Sequence, residues 1–128
     1  MELKEKFEIE FPIQASEKLL FQYISSPSGL SEWFADNVNY RGEVFIFIWD
    51  GAEEQAKLLS KKNGERIKFK WLNDDEDASY FEIRIQVDGI TKDVSLMITD
   101  FAEDDEVEET KMLWDNQISD LKQILGSS

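Results

Sequence analysis

With 128 residues, 41% apolar and 12% aromatic, the chain has enough material for one domain around one core. It contains no Cys and no His, which excludes disulfides and thiolate chemistry and removes the commonest general base and metal ligand. Its formal net charge of -14 repels nucleic acid and anionic membrane surfaces and favours solubility.

Met1-Glu2-Leu3-Lys4-Glu5 lacks the basic and then apolar regions of a signal peptide, and no apolar run is long enough to cross a bilayer. A cytoplasmic protein with one domain over residues 1–128 is the expectation. Over residues 3–13, Phe7, Ile9, Phe11 and Ile13 alternate with polar residues and Pro12, the pattern of a half-buried strand. Ser16 is placed to cap a helix carrying Leu19, Leu20, Tyr23 and Ile24 on one face. Ser26-Pro27 starts a second, short helix that ends near Trp33-Phe34.

Strand patterns follow at about 36–41, 43–49, 52–61, 65–72, 79–87 and 93–101. They are separated by Arg41-Gly42, Asp50-Gly51, Asn63-Gly64, the acidic loop Asn73-Asp74-Asp75-Glu76-Asp77 and Asp88-Gly89. The short connections make an antiparallel meander. Residues 105–125 then read as one amphipathic helix. Val107, Trp114, Ile118, Leu121 and Leu125 form its stripe, widened by Leu113 and Ile124. Acidic residues crowd its first turns, and Gly126 stops it.

The hairpins predict an interior. A two-residue loop at Asp50-Gly51 sets Trp49 against Ala52, Phe47 against Glu54 and Phe45 against Ala56. The same kind of loop at Asn63-Gly64 sets Leu58 against Phe69 and Ala56 against Trp71. The two registers agree on one inner face: Phe45, Phe47, Trp49, Ala52, Glu54, Ala56, Leu58, Ile67, Phe69 and Trp71. Lys57, Lys68 and Lys70 fall outside it. Glu54 is a carboxylate on an apolar face, so either the face opens to water there or the group anchors a ligand. Val44, Ile46 and Ile48 make the outer side of their strand apolar as well. That row is either an interface, for example of a homodimer, or a local patch shielded by lysine stems.

The order of strand, two helices, six-strand meander and long helix resembles the helix-grip fold of the START/Bet v 1-like (SRPBCC) superfamily. Within it, the chain looks most like the branch named after the homologue of the chaperone ATPase activator. Three stretches carry the likeness: Leu20-Phe21-Gln22-Tyr23-Ile24-Ser25-Ser26-Pro27 with Trp33-Phe34, Gly64-Glu65-Arg66-Ile67-Lys68-Phe69-Lys70-Trp71, and Leu113-Trp114 with Ile118, Leu121-Lys122 and Leu125. Leu113 stands where the family often has Gly. The resemblance implies an α+β fold with a cavity between sheet and C-terminal helix, used by relatives for lipids and other apolar molecules.

Three functions follow as expectations. The first is a binding module for a small hydrophobic or lipid-like molecule. Trp33, Phe45, Phe47, Trp49, Glu54, Ala56, Phe69, Trp71, Phe81, Leu96, Trp114 and Ile118 would line its cavity or form the core behind it. The second is a protein-interaction module, such as a chaperone co-regulator, using the acidic surface or the Val44, Ile46, Ile48 row. The third is a cyclase-like or hydrolase-like enzyme relying on Glu54 with Tyr23 or Tyr80, although no spacing supplies a positioned pair and no catalytic residue is assigned. No cofactor is implied. The Asp/Glu runs lack the spacing and central Gly of a calcium loop, so no metal site is expected.

Overall fold

The computed structural model describes residues 4–73 and 79–126. Its elements run β1 (Lys4–Pro12), α1 (Glu17–Ser25), α2 (Pro27–Trp33), β2 (Asn37–Arg41), β3 (Val44–Trp49), β4 (Ala52–Lys62), β5 (Arg66–Trp71), β6 (Phe81–Val87) and β7 (Val94–Glu103). A short 3-10 turn at Asp104–Glu106 leads into α3 (Val107–Leu125). Of the acidic loop expected after Trp71, Asp74 to Asp77 lie outside the described residues.

The strands form one antiparallel sheet of seven in the order β1-β7-β6-β5-β4-β3-β2. Consecutive strands β2 to β7 pair with their neighbours, and β1 closes the far edge against β7. The chain must therefore cross from one edge of the sheet to the other between β1 and β2, and α1 and α2 make that crossing. Ser16 caps α1 by accepting from the Leu19 N–H at 3.1 Å. Ser26 does the same for α2 through the Gly29 N–H at 3.0 Å, while its hydroxyl donates back to the Gln22 carbonyl at 2.8 Å. One serine thus fixes the corner between the two helices.

The concave face of the sheet and the buried stripe of α3 make the core. Phe47, Ala56, Ile67, Phe69, Ile83, Leu96, Ile98 and Leu121 are fully enclosed, with Ile118 and Phe81 nearly so. The α3 stripe is narrower than its sequence pattern: Leu113 and Ile124 are 58% and 41% exposed, so they lie outside it. Gly126 ends the helix at φ 70°, a left-handed position that glycine takes without strain.

The Asp50-Gly51 hairpin has the expected register, with Trp49 opposite Ala52 and Phe45 opposite Ala56; both turn residues have positive φ. The Asn63-Gly64 hairpin differs. A two-residue loop would set Lys62 against Glu65, but Lys62 pairs with Arg66, so the loop holds Asn63, Gly64 and Glu65. The register then shifts between Leu58 and Ser60, where Leu59 is the extra residue of a bulge. The two one-residue offsets cancel, which is why Leu58 still faces Phe69 and Ala56 still faces Trp71.

Candidate functional site

The site grows from the end of α2. Phe34 follows the helix and drives its ring into the space between sheet and α3, where it is 4% exposed. Its ring lies 5.1 Å from Phe47, 5.5 Å from Trp49, 5.7 Å from Phe81 and 5.5 Å from Trp114, all centroid distances. Such edge and stacked arrangements suit the ring quadrupoles. The Phe34 carbonyl, left without a helical partner at the end of α2, accepts from the Trp49 indole N–H at 2.8 Å and from Gln117 Nε2 at 2.9 Å. One backbone oxygen therefore ties α2, β3 and α3 together.

Beyond this plug, the sheet and helix part. A groove of about 490 Å³ opens between the Asp50-Gly51 end of the sheet and α3. Phe34, Trp49, Trp71 and Trp114 form its apolar wall, and Leu113 stands at its lip. Glu54, Asp100, Thr110, Asn116, Gln117 and Asp120 are its polar groups. Trp49 and Trp71 are half-buried with ring centroids 6.0 Å apart, and Trp71 stacks on Phe81 at 5.0 Å. Trp114 is buried, and its indole N–H donates to Asp100 Oδ2 at 2.8 Å. A shallower hollow lined by Glu32, Trp33, Ala35 and Asp36 adjoins the groove and shares Phe34, Trp49, Gln117 and Asp120 with it.

The structure sorts the candidate residues into wall and core. Trp49, Glu54, Trp71 and Trp114 meet at the groove. Trp33 lies in the adjoining hollow, its indole N–H donating to the Tyr23 carbonyl at 2.9 Å. Phe45, Phe47, Ala56, Phe69, Phe81, Leu96 and Ile118 are core behind the wall. Ala56 is fully buried between its strand partners Phe45 and Trp71. Glu54 and Ala52 are exposed, so the inner face does open to water at the start of β4.

The carboxylate–tyrosine pairs considered for catalysis are not assembled. Tyr80 lies on the outer face of the sheet, under the Lys68 ammonium at 3.9 Å and against Phe101. Tyr23 belongs to a separate hollow between α1 and α2 with Leu19 and Gln22.

Phe34, Asp100 and Gln117 were not among the candidates. For Asp100 the signal was available: it continues the inner-facing alternation of Leu96 and Ile98, as anomalous there as Glu54 on β4. Two other features lie apart from the groove. A larger polar depression of about 620 Å³ at the opposite end of the sheet is lined by Glu10, Gln14, Gln86, Asp88 and Lys92 but by no aromatic ring. There the Asp88 carboxylate accepts from the Thr91 and Ile90 N–H groups, which holds its pKa below the usual value. At the start of α3, Glu103, Asp105 and Glu106 bring carboxylate oxygens within 4.8 Å of one another, and the last two are exposed. Negative charge there complements the helix dipole.

Among the described residues, no helix is long and apolar enough to cross a membrane. The family model of the START-like superfamily domain matches residues 1–127. No curated protein matches the chain. Among solved structures, a Bacteroides fragilis protein determined by solution NMR is 38% identical, with 97% of this chain and 92% of that one covered and a TM-score of 0.67. The Aha1 dimer from Colwellia psychrerythraea shares 17% identity at a TM-score of 0.74, covering 94% of this chain and 96% of that one. XoxI from Bacillus cereus shares 15% at 0.76, covering 94% of each chain.

Proposed function

The chain belongs to the START-like superfamily, and on that premise we propose that it is a binding domain, one unit over its whole length, for a small hydrophobic or lipid-like molecule. The ligand lies in the groove between the open end of the sheet and α3. The observation that carries this reading is the wall itself: Trp49, Trp71 and Trp114 gathered with Phe34 around an open space of about 490 Å³. That volume falls within the usual range for small-molecule sites, and an apolar wall with few polar groups is their usual chemistry. Phe47, Phe69 and Phe81 back the wall and hold its shape. Glu54 at the mouth meets the polar end of the ligand.

Isothermal titration calorimetry with the neutral probe N-phenyl-1-naphthylamine tests this. Saturable binding at one site is expected, weakened about tenfold in Trp71→Ala through loss of one large aromatic surface. Circular dichroism checks that the variant stays folded. The absence of saturable binding, or an unchanged affinity in the folded variant, overturns the reading. A protein-binding or homodimeric role through Val44, Ile46 and Ile48 stands second, because all three are half-buried rather than open to a partner.

A further inference from the structure

The groove is not only aromatic; its charge has one sign. Glu54, Asp100 and Asp120 line it, Glu32 and Asp36 line the adjoining hollow, and neither surface includes a lysine or arginine. Among the described residues, Glu54 and Asp120 take part in no ion pair, and both are exposed at the mouth. The chain does place its own ammonium groups over rings elsewhere: Lys68 over Tyr80 at 3.9 Å, Lys111 over Phe7 at 5.7 Å and Lys61 over Phe21 at 5.9 Å. No such cation lies over Trp49, Trp71 or Trp114 among the described residues.

Electron-rich ring faces and carboxylates around one opening are the two features that attract an organic cation, and indole is the best of the aromatic partners. An anionic head such as a fatty carboxylate or a phosphate would meet the Glu54 and Asp120 carboxylates at the mouth, and neither lining offers it a lysine or arginine.

We propose that the ligand of the groove is an amphipathic cation, an apolar body carrying an alkylammonium head. The body lies against Phe34, Trp71 and Trp114. The head sits at the mouth between Glu54 and Asp120, beside the Trp49 ring. This proposal rests on the binding reading above and specifies its ligand class.

Calorimetry with three probes of one chain length, each below its micelle concentration, separates the two ideas: decyltrimethylammonium, decyl glucoside and decyl sulfate. The cation is expected to bind about tenfold or more tighter than the other two. In the double variant Glu54→Gln, Asp120→Asn the preference should fall to within about threefold, because the two carboxylates that flank the head are gone and Asp100 is engaged by the Trp114 indole N–H. A control double variant, Glu10→Gln with Glu43→Gln, removes the same charge at the opposite end of the sheet and should keep the preference. Equal binding of all three heads overturns the cation proposal and leaves the binding reading standing. Equal loss of preference in both double variants assigns the effect to overall charge and also overturns it. Binding of none of the three overturns the reading beneath it.

Discussion

Gly29 shows how one residue can set the position of another far along the chain. It sits in α2 where the helix crosses α1, and a Cβ there would collide with the Gln22 carbonyl oxygen and come within 2.7 Å of Tyr23 Cα. Both obstacles are backbone and cannot turn aside. In an exposed helix, Gly→Ala stabilises by about 1 kcal/mol. Here overpacking at about 1–3 kcal/mol outweighs that gain. Gly29→Ala should lower stability in urea denaturation, and a stabilised variant would refute the close approach. The same corner aims Phe34, whose ring and carbonyl then organise the groove. Sequence patterning showed Trp33-Phe34 as the end of a helix but could not show that Phe34 would reach under α3. That outcome depends on the angle between two helices, which Gly29 and Ser26 set together.

At the scale of elements, the β4–β5 hairpin shows why a correct register can come from an incorrect turn. Asn63-Gly64 marked the place of the turn, but Glu65 joins the loop and the Leu59 bulge restores the alignment. The inner face was legible because strand alternation has a period of 2 and a pair of slips preserves it. The bulge was not, since nothing in Leu58-Leu59 distinguishes it from regular strand. The α3 pattern was legible at Trp114, Ile118 and Leu121 and overextended at Leu113 and Ile124, because apolar spacing alone does not show how wide the sheet beneath a helix is. Burial separates the two groups in energy. Leu121→Ala, at a fully buried site, should cost about 2–5 kcal/mol, whereas Ile124→Ala should stay within about 0.5 kcal/mol. Urea midpoints measure both, and similar losses would contradict the placement of α3.

Across the whole molecule, 28 acidic residues face 14 basic ones. Ion pairs such as Lys62 with Glu65 at 2.9 Å and Lys111 with Glu108 at 3.8 Å lie at the surface between sequence neighbours and add little. The surplus charge therefore opposes folding by self-repulsion. Salt should relieve it: the melting temperature is expected to rise between about 0.01 M and 0.1 M sodium chloride, as the screening length falls from about 30 Å to about 10 Å. A melting temperature that stays level or falls would mean that local pairing dominates.

The clustering of indoles has one more consequence. The chain holds four tryptophans; three wall the groove and Trp33 lies in the hollow beside it. Excited at wavelengths that tyrosine does not absorb, the protein's emission thus originates within one small region. Occupancy, solvent entry or quenching at that region would register in the unlabelled protein's spectrum, so the domain carries its own optical gauge.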